Sequence, residues 1–195
     1  CAILNNGSMM CWGTGHYSNT GGQTPSYADL PPGRTAVEVS MGVSQYCVLL
    51  DNNSVACWGR YWPAGSPPDS YDSYAIGWDM PSPSIVSTLP ANAVSVTVAD
   101  GFNENSHTCA IMENGSVYCW GSNKNGQLGL GFRCVENNSE SPIGNECYAM
   151  AFVGLNGDRN LTTHIGNASQ MILPAGRTAV GMYLHSRHSL IVLDN

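Results

Sequence analysis

Eight cysteines and six Asn-x-Ser/Thr triplets are the groups in this sequence best placed for covalent chemistry. Six of the cysteines stand in pairs of constant spacing: Cys1 with Cys11, Cys47 with Cys57, and Cys109 with Cys119. Between the members of each pair lie three apolar residues, a polar turn, a serine and two further residues, and Trp-Gly follows the second cysteine. Oxidation to cystine is the chemistry this pattern suggests, with paired reduced thiols as the alternative. Zinc ligation is disfavoured, because nothing here has the Cys-x-x-Cys spacing of a tetrahedral site. Cys134 and Cys147 read as a fourth cystine closing a local loop. The triplets begin at Asn6, Asn52, Asn114, Asn137, Asn160 and Asn167, and each is an acceptor pattern for N-linked glycan. The first three occupy one turn position of successive repeats, where asparagine also suits the turn itself.

The element that must position the paired cysteines is a β-hairpin. Short apolar runs flank Asn5-Asn6-Gly7, Asp51-Asn52-Asn53 and Glu113-Asn114-Gly115. If Cys1 faces Cys11, then Leu4 faces Ser8 and a three-residue loop remains. Such a loop carries a left-handed residue at its last position, a conformation that Gly7, Asn53 and Gly115 tolerate. Turn chemistry and cysteine register therefore agree. Opposed Cα atoms of an antiparallel pair lie about 4.5–5.5 Å apart, within reach of a disulfide. Closing a loop of this size contributes roughly 2–3 kcal/mol. Alternation sends Cys1 and Ile3 to one face and Ala2 and Leu4 to the other. Both sets are apolar, so each sheet needs cover on both sides. Small sheets stacked radially, as in a propeller, provide it.

Composition narrows the function classes. Charged residues are 11% of the chain, the formal net charge is −7, and Lys124 is the sole lysine. The seven basic residues are scattered, which disfavours nucleic-acid binding. No apolar run is long enough to form a membrane-spanning helix. Cysteine usage and glycan acceptors together predict a secreted, extracellular or cell-surface location. Motifs such as Gly-x-Ser-x-Gly or His-Glu-x-x-His are lacking, so no enzyme activity, metal or cofactor is expected beyond covalent glycans. Asp69, Asp72 and Asp79 have no calcium-loop spacing.

The chain reads as one repeat segment, 1–195, belonging to a longer chain or assembly. Its repeats run over about 1–46, 47–108 and 109–189, with a partial fourth at 190–195. A proline-marked turn before each hairpin leads into a short strand: Val37 to Met41, Val94 to Val98 and Val180 to Leu184. The second repeat carries an insertion around Arg60 to Ser84, with Trp62 and Trp78, expected as a surface loop without regular structure. The third carries another, about Phe132 to Gln170.

Gly121 to Gly131, directly after Cys119-Trp120, resembles the signature of the regulator of chromosome condensation repeat family. There a hairpin ending in Trp-Gly leads into an Asn-x-x-Gly-Gln-Leu-Gly turn, and His107 to Met112 also resembles that repeat. The resemblance implies an all-β, propeller-like array of three repeats plus a partial fourth, with long loop insertions. It implies a core or capping role for His107 and His188, with Gln45 in the equivalent place. His185 and His188 would suit a metal as a pair on a helix, but the surrounding pattern is β. The function expected is that of an extracellular structural or adhesive glycoprotein, a fibre or surface-coat subunit. It would associate with itself or with other extracellular proteins or glycans. The alternative is a secreted binding module, an enzyme inhibitor or lectin-like protein that uses its loop face.

Overall fold

The computed structural model describes residues 1–13, 24–43, 45–61, 78–90, 92–100, 106–123, 125–132 and 168–194. Cys134, Cys147, Asn137, Asn160, Asn167, Trp62, Asp69 and Asp72 lie outside those residues. Antiparallel pairing joins β1 (Ala2–Ile3), β2 (Met9–Cys11) and β3 (Ser26–Tyr27) into a first sheet. A second takes β4 (Ala36–Met41), β5 (Gln45–Leu50), β6 (Val55–Tyr61) and β7 (Trp78–Ile85) in that order. The third holds β8 (Ala93–Val98), β9 (His107–Met112), β10 (Val117–Gly121) and β11 (Ser169–Gln170), likewise consecutive. β12 (Ala179–His185) and β13 (His188–Leu193) form the fourth. The structural unit thus begins one strand before the cysteine hairpin.

The hairpin turns have the three-residue geometry that their sequence requires. Leu4 donates its N–H to Ser8 O at 2.8 Å, and Gly7 N returns to Leu4 O at 2.9 Å. Leu50 with Ser54 and Met112 with Ser116 repeat the first bond. Gly7, Asn53 and Gly115 have φ of 77°, 62° and 76°, the left-handed conformation. From that closing pair, hydrogen-bonded and non-hydrogen-bonded positions alternate along the ladder. The third pair onward is Cys47↔Cys57 or Cys109↔Cys119, a non-hydrogen-bonded site where side chains lie closest.

Alternation also divides the apolar residues between two cores. Along β5, Val48 and Leu50 join, with Ala36 of β4, the core shared with Met9 and Cys11 of the preceding sheet. Cys47 and Leu49 join the core shared with Ala93, Val96 and Met112 of the following one. The second sheet is therefore apolar on both faces because both are covered. The third sheet is enclosed in the same way, and every residue of β9 is buried. Trp58 and Trp120 are 6% and 1% exposed, whereas Trp12, at the same repeat position in the first sheet, is 51% exposed.

Residues 78–84, read above as irregular loop, belong to strand β7, which pairs with β6 through Ala56↔Ile85, Cys57↔Ser84 and Gly59↔Met80. Pro81 and Pro83 argued against a strand, but β7 is the edge of its sheet, where a missing N–H breaks no inner ladder. Ser169–Gln170, assigned above to the third insertion, is the corresponding edge strand β11.

Each sheet is fastened to the next by its hairpin tip. Ala36 N donates to Gly7 O, Ala93 N to Asn53 O and Ala179 N to Gly115 O, at 2.8, 3.0 and 2.8 Å. A second set closes the lead-in against its own sheet's tip: Asp51 N to Thr35 O, Glu113 N to Asn92 O and Asp194 N to Thr178 O. A β-bulge follows each lead-in alanine, leaving Val37, Val94 and Val180 exposed at matching positions.

A Cβ on Gly115 would lie 2.3 Å from Thr178 Cβ, and one on Gly7 2.5 Å from Thr35 Cβ. Gly33 also has positive φ, at +71°, but with nothing within 4 Å. Gly33→Ala is expected to cost about 1 kcal/mol, from backbone strain alone. Gly115→Ala should cost distinctly more, because Thr178 must also move. Denaturant unfolding of the two variants side by side checks the difference.

Candidate functional surface at the sheet seams

Among the described residues the paired cysteines form three cystines. Cys1–Cys11, Cys47–Cys57 and Cys109–Cys119 have Cα separations of 4.0, 4.1 and 4.1 Å. Apart from half-buried Cys1, these cysteines are buried, at 6% exposure or less. Each cystine crosses from the first to the second strand of its hairpin and faces the next sheet.

At the tips, Asn6, Asn52 and Asn114 are exposed. In each, Oδ1 accepts two hydrogen bonds from the serine two residues on. The backbone N–H bonds measure 3.0, 3.3 and 3.0 Å, and the hydroxyl bonds 2.7, 2.6 and 2.6 Å. This Asx turn supplies a structural reason for the Asn-x-Ser pattern that the sequence alone could not separate from glycan acceptance. The acid at the first turn position secures the lead-in strand. Asp51 and Asp194 accept from Thr35 N and Thr178 N at 3.3 and 2.8 Å, and Glu113 accepts from Asn92 Nδ2 at 3.0 Å. Arg34 adds an ion pair to Asp51 at 3.6 Å, half-exposed and therefore of small energetic weight.

Polar links also cross the seams in the interior. Ser106 Oγ donates to Gln45 Oε1 at 2.7 Å, from the third sheet to the second. His107, fully buried, meets Ser189 Oγ through Nε2 at 2.8 Å, from the third sheet to the fourth. Ser189 in turn donates to the carbonyl of Gln127 at 2.7 Å. The serine proton is thus committed to a carbonyl that can only accept, so His107 Nε2 carries a hydrogen and donates it. A serine and histidine at this distance resemble a nucleophile and its base, but the imidazole here cannot take the serine proton. The pair is a joint between sheets. His188, the repeat equivalent of His107, is instead exposed and stacks on His185 with ring centroids 5.1 Å apart. His107 thus has the buried, core position that the resemblance implies. His185 and His188 are cross-strand partners in β12 and β13, so two imidazoles meet without a helix.

The glycine-rich turn after Trp120 is built around buried Asn123. Its Oδ1 accepts from Leu128 N at 3.2 Å, and its Nδ2 donates to Phe132 O at 3.1 Å. Gln127 Oε1 accepts from Asn125 N at 2.8 Å. Gly126, Gly129 and Gly131 all have positive φ, and a Cβ on Gly129 would lie 2.6 Å from Met171 Cγ. Turn geometry and close packing explain this motif without any ligand.

The neighbouring first strands of the second and third sheets meet through side chains. Ser40 Oγ accepts from Val98 N at 2.9 Å, and Glu38 accepts from Ser95 Oγ at 3.1 Å and from the Val96 N–H. These contacts cap an otherwise unpaired strand edge. Burial pushes the Glu38 carboxyl above its ordinary value of 4.5, against the opposing pull of the Ser95 and Val96 bonds. Among the described residues no group of three or more His, Cys, Asp or Glu is placed to hold a metal, and no helix is long and apolar enough to cross a membrane.

The sequence model of the regulator of chromosome condensation (RCC1) repeat matches residues 105–127, the β9–β10 hairpin and the turn after it. Human WBSCR16 has the same fold, with TM-score 0.64 and 15% identity over 99% of this chain and 41% of that one. Yeast RCC1 (Prp20), solved bound to Kap60, matches with TM-score 0.58 and 16% identity over 96% and 38%. A further structure of Prp20p from Saccharomyces cerevisiae gives 0.59 and 15% over 97% and 40%. The chain therefore has the RCC1-type β-propeller fold, and it spans about two fifths of the length of these structures.

Ser189→Ala removes the acceptor of a buried N–H, and a loss of about 1–3 kcal/mol is expected from chemical denaturation. His107→Gln, which keeps a donor, should lose less. For Glu38 the folded pKa lies above the unfolded one, so its stabilising contribution is complete below pH 4.5 and fades as pH rises through the folded value. Glu38→Gln should flatten that portion of the melting temperature against pH curve and leave neutral-pH stability unchanged or higher.

Proposed function

We propose that this chain is a section of an extracellular propeller array that works by binding protein, as a structural or adhesive component of a surface coat or fibre, and not by catalysis. The observation that carries the reading is the set of buried cystines, in one register, in three successive blades. Cystines persist in oxidising compartments, whereas cysteines in the cytosol and nucleus are kept reduced. Protein recognition is supported by the fold's use elsewhere: yeast Prp20 is known in complex with Kap60, and its binding to Gsp1p and histones has been examined. The sparse charge of this chain, −7 with scattered basic groups, suits a nucleic-acid role poorly.

Native protein from the source cells, alkylated before lysis and then digested without reduction, should yield the three cystine-linked peptides. Surface labelling of intact cells should reach the same protein, recovered in a large assembly. Alkylated, unlinked cysteines in protein shielded from surface label would overturn the proposal.

A further inference from the structure

We propose that Asn6, Asn52 and Asn114 each carry an N-linked oligosaccharide on Nδ2, so that one end of the array bears a glycan at every blade seam. This rests on the extracellular reading above and adds the modification to it.

The Asx turn explains an oxygen acceptor at these positions, but it explains less than the chain provides. All of the turn's bonds from this side chain are made by Oδ1. Aspartate would offer the same oxygen. The turns do tolerate acids, since Asp51, Glu113 and Asp194 stand at the neighbouring position. The amide is nevertheless used in all three turns. The serine two residues on gives the turn both its backbone N–H and its hydroxyl. A hydroxyl is present each time, in Ser8, Ser54 and Ser116. The residue between is Gly7, Asn53 or Gly115, never proline. Amide, hydroxyl and a non-proline centre together make the acceptor pattern; the turn uses the hydroxyl and requires positive φ at the centre, but it does not account for an amide in place of a carboxylate.

Accessibility divides in the matching way. The three asparagines are exposed, while Gly7 and Gly115 beside them pack against Thr35 and Thr178. A sugar on Nδ2 would therefore extend from a backbone held by the seam bonds without disturbing them. In the transfer, a lipid-linked oligosaccharide diphosphate is the donor. The bond from sugar C1 to the diphosphate oxygen breaks and a C1–Nδ2 bond forms. The amide loses one proton, and the lipid diphosphate departs with the bonding electron pair.

The test uses the full chain secreted from eukaryotic cells, treated with peptide N-glycosidase in heavy-oxygen water and mapped by mass spectrometry. Heavy-oxygen aspartate is expected at positions 6, 52 and 114. Asn6→Asp, which keeps the turn acceptor, should lose one glycan and keep the unfolding transition. Asn6→Ala should lose the same glycan and lower the transition. Unmodified asparagine at all three positions in cystine-linked, secreted protein would overturn this proposal while leaving the extracellular reading intact. Unlinked cysteines would count against that reading instead.

Discussion

The hydrogen bond from each lead-in alanine to the preceding hairpin tip is the contact on which the stacking of the blades depends. Apolar burial between the sheets has no direction and does not choose one alignment over its neighbours. The backbone bonds of Ala36, Ala93 and Ala179 to Gly7, Asn53 and Gly115 set that alignment. They form only if the tip residue turns left-handed and brings its carbonyl to the seam. At the glycine tips, Thr35 or Thr178 then fills the space that a tip side chain would need. The interior links, Ser106 to Gln45 and His107 to Ser189, repeat the alignment at the far end of the same strands.

The cystines follow from the same turn. A three-residue loop places the cysteines at a non-hydrogen-bonded position of the ladder, where side chains are close enough to join. A loop one residue longer or shorter would move the second cysteine to the opposite face. The staple also occupies a core position, since Cys47 and Cys57 help to form the apolar contact with the third sheet. Each cystine is thus both a crosslink within one blade and a packing surface for the next.

Much of this was legible in the residues. Gly7, Asn53 and Gly115 announced the turn, and the cysteine spacing fitted the same register. Apolar residues on both strand faces announced double-sided burial, which the split of Val48 and Leu50 from Cys47 and Leu49 displays. What could not be read depends on distant partners. Pro81 and Pro83 look like strand breakers until β7 is known to be an edge. The Ser189–His107 contact looks like a catalytic pair until Gln127 O is seen to take the serine proton. Asn-x-Ser likewise has a turn role and an acceptor role that spacing alone cannot divide.

The cystines would also govern the behaviour of such an array under tension. Each joins residues ten apart, so a blade pulled open by its flanking strands cannot pay out the hairpin between them. At a little over 3 Å per extended residue, that withholds roughly 30 Å of contour from every blade so stapled. A stretched array of this kind would yield in short steps and keep its hairpins as ready templates for recoil.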